Sequence, residues 1–152
     1  MATLYGVNRT LLRTGTVNTI DPELVGAPVR VAIGTYTFLT TEAAADIIQL
    51  CGIDLPKGAR ILNWIMDHGD LANNRTLSLG FGSTGDAAVL MSATDCGAAA
   101  DQKSLQDDGV DASLGYEIDG EDDAGIPILT LAGGAAAAVA VTVAIFYAVK
   151  GV

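Results

Sequence analysis

Cationic side chains are scarce in this sequence. Eight Lys and Arg stand against eighteen Asp and Glu, for a net charge of −10. Covering a phosphate backbone takes clustered Lys and Arg, so the bulk surface excludes nucleic acid as a partner. Histidine occurs once, at His68, and cysteine twice, at Cys51 and Cys96. That poverty excludes a zinc cluster and a disulfide-stapled scaffold. Two thiols permit one bridge without implying it, and the expectation is a reducing compartment with both free. Met1–Arg13 has no continuous apolar core and no small-residue cleavage site, so no signal peptide is expected. Aromatic residues make up only 5% of the chain, with Trp64 the sole tryptophan. Half of the 152 residues are nevertheless hydrophobic, and 18 are glycine. A chain this long buries roughly two-thirds of its unfolded surface. The mixture fits one β-rich globular domain with many tight turns and excludes a disordered chain.

The stretch that organises the rest is Leu55–Gly82. Leu55-Pro56-Lys57-Gly58 is a turn signal, with Pro presetting φ and Gly supplying freedom. Ala59–Asp67 then carries Ile61, Leu62, Trp64, Ile65 and Met66, enough bulk for a strand buried on at least one face. After a polar loop, His68–Asn74, Thr76–Phe81 alternates Leu77, Leu79 and Phe81 with Thr76, Ser78 and Gly80, the period of a half-buried strand. Two strands joined by so short a loop predict an antiparallel pair.

Elsewhere, Val29–Leu39 alternates as a strand through Val29, Val31, Ile33 and Tyr36. Thr41–Asp46 reads as a connection, Asp46–Gly52 as a short strand and Ala87–Met91 as another apolar run. Ser92–Ser113, rich in Ala, Gly and Asp, predicts a long loop between sheets. Leu114–Ile118 alternates around Tyr116 and Ile118, and Asp119–Gly125 turns. Residues 1–28 read as an arm preceding a sandwich domain over 29–152: they hold Gly6, Gly15, Gly26, Pro22 and Pro28 with scattered apolars and no sustained period. Within it, Leu4, Tyr5, Leu11 and Leu12 accompany Arg9 and Arg13, and residues 1–20 contain no acid. This exceeds what a solvating tail needs, so the arm is expected to order on a partner or a neighbouring copy. Ten acids between Asp95 and Asp123 face one cation, Lys103. Such a chain docks through its basic end and exposes its acidic region.

Ile126–Val149 holds no charge over 24 residues, long enough for a membrane-spanning helix. Its second half argues otherwise. Val139, Val141, Val143, Ile145, Tyr147 and Val149 fall on one face at period 2, a pattern for a pleated strand. The segment therefore predicts two strands joined at Gly133-Gly134, the second central to a sandwich. The membrane-anchored alternative would use 126–149 as a helix.

Candidate chemistry is thin. Gly80–Gly85 matches GxGxxG, but no crossover helix follows, so a glycine turn is expected in place of a dinucleotide site. His68 reads as a polar loop histidine beside Asp67 and Asp70, with no nucleophile motif nearby. Asp107–Asp111 and Asp119–Asp123 lack calcium-loop spacing and read as solvated acidic loops. No catalytic residue, cofactor or metal is expected.

The order of segments resembles the capsid decoration, or cement, proteins of tailed bacteriophages. The residues that carry the likeness are Ile20-Asp21-Pro22 with Val25-Gly26, Val29-Arg30-Val31, Thr35-Tyr36-Thr37, Leu55–Leu62, Thr76–Gly80 and the closing Ala/Gly turn into a strand ending near Tyr147. The acidic insert at Ser92–Ser113 and the very apolar last strand depart from that pattern. The resemblance implies an all-β sandwich of jelly-roll type, a homotrimer bound to the outside of an icosahedral head. There it would link subunits of the major capsid protein through Leu4, Tyr5, Arg9, Leu11, Leu12 and Arg13. It implies a non-enzymatic virion protein made in the host cytoplasm, contacting neither membrane nor nucleic acid. Another head or tail component is the alternative.

Overall fold

The computed structural model describes residues 28–50, 54–72, 75–82, 88–110, 114–119, 125–133 and 137–149. In chain order its elements are β1 (Val29–Thr37), β2 (Ile47–Gln49), β3 (Ala59–His68), β4 (Thr76–Phe81), β5 (Met91–Asp95), β6 (Asp101–Ser104), α1 (Leu105–Asp108), β7 (Pro127–Ala132) and β8 (Ala140–Val149). The expected arm, apart from Pro28, lies outside the described residues.

β3 shows how local chemistry sets the geometry. The Ala59 amide donates to the Pro56 carbonyl (3.0 Å), and Gly58 takes φ +77°. The turn therefore begins at Pro56, one residue later than expected, and its third position needs a residue without Cβ. Ala59 and Ile61 then face inward. A register shift between Ile61 and Asn63 changes the parity, so the inward set becomes Trp64, Met66 and His68. One extra residue in a strand has this effect, and it is why Ile61–Met66 lacks strict alternation.

The strands form two antiparallel four-stranded sheets, ordered β1-β8-β3-β6 and β2-β7-β4-β5. β1 pairs with β8, β2 with β7, β3 with β6 and β4 with β5. The chain thus runs as one long antiparallel ribbon doubled back on itself and rolled, so that successive pairs fall in opposite sheets. The seams β3·β8 and β4·β7 complete the layers. Between them lies one core that includes Ile61, Trp64 and Met66 from β3, Val141, Val143 and Ile145 from β8, and Leu77, Leu79 and Phe81 from β4. The all-β sandwich expectation holds.

Several sequence expectations need correction. β3 and β4 are not a hairpin pair; they lie in opposite sheets. Leu71, fully buried, explains the crossing. Its amide donates to the Cys96 carbonyl (3.1 Å) and its carbonyl accepts from Ala137 (3.1 Å), so the connection climbs across the open end between layers. Ser92–Ser113 is no loop, since it contains most of β5, all of β6 and α1. These are edge strands whose exposed polar residues leave no apolar period to read. Leu114–Ile118 forms no strand of its own. The amides of Gly58, Ile61, Gly115 and Ile118 bond it back and forth to the start of β3, beside which it extends the edge that β6 occupies.

The uncharged C-terminal run becomes β7 and β8, one in each sheet, with β8 between β1 and β3. Its helical alternative is overturned. Val141, Val143 and Ile145 are buried while Thr142, Ala144 and Phe146 on the other face are half-buried, the outcome the period-2 pattern demands. Among the described residues no helix is long and apolar enough to cross a membrane.

Candidate functional site

The candidate contact residues Leu4, Tyr5, Arg9, Leu11, Leu12 and Arg13 lie outside the described residues. What the structure shows is the surface beside the point where that segment enters the sandwich.

β1 is nine residues long and lies at the edge of its sheet among the described strands. The large residues Val29, Val31 and Ile33 point outward and are 62%, 49% and 64% exposed. The inward row is Ala32, Gly34 and Tyr36. The cause is space, because a Cβ on Gly34 would run into the carbonyl of Leu50. Opposite Leu50 only a residue without a side chain fits against the other layer.

Pairing carries these outward residues across the sheet. Val31 aligns with Phe146 and Asn63, and Ile33 with Ala144, Ile65 and Ser104. Both rows are without charge. The row of Thr35, Thr142, Asp67 and Gln102 bounds them on one side, tied by Thr35–Thr142 (3.1 Å) and Gln102–Asp67 (2.7 Å) hydrogen bonds. The Arg60–Glu117 ion pair (2.8 Å) stands on the other. At the far edge the face deepens into an open groove of about 560 Å³. Leu62 and Ile65 contribute from β3, and Leu105, Val110 and Leu114 from the segment beyond β6. Among the described residues no charged side chain lines it.

At the end of β1 the chain turns on Glu42, which is 7% exposed. Its two carboxylate oxygens accept from the Leu39 amide (2.8 and 2.9 Å), and one also accepts from the Tyr36 hydroxyl (2.8 Å). Burial pushes the Glu42 carboxyl up, but these bonds to its charged form outweigh that and hold it below the ordinary carboxylate range. The same bond raises the Tyr36 hydroxyl, with burial adding to it. A depressed carboxyl stabilises the fold above its unfolded-state pKa, and that contribution disappears as pH falls through the folded-state value. Glu42→Gln should therefore lower the melting temperature at pH 7, by ~2–4 °C for each kcal/mol lost in a domain of this size. The gap from wild type should close as pH falls below the carboxylate range. Thermal unfolding of both proteins across pH checks this, and a gap constant from neutral to acid would refute it.

His68 is not a loop residue. The parity change in β3 turns it inward at the strand's end, 5% exposed, with Nδ1 2.9 Å from the Gly69 carbonyl oxygen. Cys96 is a buried free thiol whose pKa burial pushes up to about 11, so it is not a reactive nucleophile. Of the GxGxxG stretch, Gly80 and Phe81 close β4 and Gly82 takes φ +71°; the remainder lies outside the described residues. Among the described acids, Asp107 and Asp108 bond back to Ser104. Among the described residues no group of three His, Cys, Asp or Glu could hold a metal ion.

The chain matches no protein-family model and no curated protein. Solved structures do share its fold. A chain of the cyanophage Pam1 capsid asymmetric unit is similar over 99% of this chain and 92% of its own, at TM-score 0.64 and 22% identity. A chain of the Ralstonia phage GP4 capsid is similar over 89% of this chain and 94% of its own, at TM-score 0.58 and 20% identity. In both cases the likeness is one of fold, and it spans nearly the whole of each chain.

Proposed function

We propose that this protein is a structural component of a tailed-phage virion, a decoration or cement protein of the jelly-roll type. The observation that carries the reading is the near end-to-end likeness, in both directions, to a chain of a phage capsid asymmetric unit. The rolled ribbon, in which the outermost strands pair and each inner pair follows in turn, is the strand order a jelly roll requires. The sequence resemblance points to the same class. In this reading the protein is no enzyme. It is a rigid body that binds the outside of the head and links major capsid protein subunits, and three copies together turn weak contacts into firm attachment.

The arm, residues 1–28, supplies the grip. Leu4, Tyr5, Leu11 and Leu12 give apolar contact, while Arg9 and Arg13 give charge opposite to that of the acidic body. The acidic segments face solvent. Deleting residues 1–20 should abolish binding to expanded capsids, read by co-sedimentation, while the sandwich keeps its β-type circular dichroism and cooperative melting. Undiminished binding by the truncated protein would reject the arm's role.

A further inference from the structure

We infer that the outer face of the β1-β8-β3-β6 sheet is where copies of this chain meet, the β1 ridge of one seating in the groove beside β3 and β6 of the next. The inference rests on the self-association in the function proposed above and assigns it a surface.

An exposed apolar row along an open edge strand is a liability unless something covers it, because it offers both greasy side chains and unpaired backbone. The other sheet edges are blunt: β2 has three residues, β6 four and β5 five. Among the described edge strands β1 alone combines length with large apolar residues, Val29, Val31 and Ile33, turned to solvent. The groove is its counterpart. It is open, with Leu62, Ile65, Leu105, Val110 and Leu114 interleaved with uncharged Asn63, Gln102, Ser104 and Gln106, and Leu114 stands 65% exposed at its rim.

Charge identifies the occupant. A chain of net charge −10 repels its own copies over most of its surface. Two copies can approach closely only through a face free of acid, and among the described residues the two central rows and the groove have none. A basic foreign partner would instead be met by carboxylates. The charges that flank the rows on this face are engaged within the chain, Arg60 with Glu117 and Asp67 with Gln102. A molecule carrying both halves of such a contact, the ridge and the groove, joins head to tail, giving a ring where the rotation between copies closes.

The test uses the full chain, free of capsids, in analytical ultracentrifugation over a range of concentrations. Wild type should sediment as an oligomer. Val31→Asp with Ile33→Asp should weaken association by about a hundredfold or more, because each buries an unpaired carboxylate, and Leu114→Asp should act likewise from the groove side. All three positions are exposed in the single chain, so at dilutions where wild type is itself dissociated the melting temperatures should agree, and the variants should lose only the concentration-dependent part. Ile47→Asp, on the opposite sheet and 47% exposed, should leave the mass unchanged. A monomeric wild type overturns the inference, as does an oligomer indifferent to the ridge and groove substitutions. Loss of capsid binding with the mass intact would show that the face meets the shell, and would also overturn it. Oligomers that respond as expected but bind no capsid would support this contact and reject the cement reading.

Discussion

Trp64→Ala should cost about 3–5 kcal/mol, the range for emptying a large aromatic site in a packed core. Trp64 is fully buried in β3 and aligned with Ile145 of central β8, which is itself fully buried. Neither layer can collapse into the space without breaking its own ladder. The cost is one of volume rather than polarity, because the indole Nε1 has no hydrogen-bond partner. Trp64→Phe, which keeps the ring and discards that N–H, should therefore cost under about 2 kcal/mol. Denaturant titration followed by circular dichroism reads both. Equal losses would show that the N–H matters more than the volume.

The second large effect is expected at Gly34. Exchanging glycine for alanine inside a strand ordinarily gains roughly 0.5–1 kcal/mol from lost freedom in the unfolded chain. Here the added methyl meets the Leu50 carbonyl, and that backbone cannot retreat because the Leu50 amide is bonded to Pro127 in β7 (2.9 Å). Overpacking of this kind costs about 1–3 kcal/mol, occasionally more, so the clash wins and Gly34→Ala should destabilise. Ile33→Ala, one residue away on the open side, should change the single chain's stability by less than about 0.5 kcal/mol. A stabilised Gly34→Ala would mean that the layers stand further apart than described.

Much of the fold was legible because period-2 patterns survive wherever one face is dry. Thr76–Phe81 was read to its bounds, and Val139–Val149 could be separated from a membrane helix by its β-branched alternation. Pairing was not legible: the short run from His68 to Asn74 suggested a hairpin, and only the burial of Leu71 shows that the chain changes layer. β5 and β6 escaped because Asp, Gln, Lys and Ser on an edge leave no apolar trace. His68 was misplaced because nothing local announces the extra residue near Asn63 that reverses the row it belongs to. The outer face was missed for a subtler reason. The alternation of Val29, Val31 and Ile33 marks β1 as a strand but does not say which of its rows turns inward. The deciding signal was Gly34 between Ile33 and Thr35, a residue without a side chain in the middle of a good strand.

The position of β8 in its sheet bears on how the chain matures. β8 is inserted between two strands that are translated much earlier, β1 and β3. Until residue 149 has left the ribosome, those two have no common neighbour and their layer stays split. Completion of this layer must therefore wait for β8, and it then proceeds through contacts distant in sequence, which places it among slow folders of the millisecond-to-second class. Nascent chains stalled before β8 should be protease-sensitive throughout, with no intermediate plateau of protection.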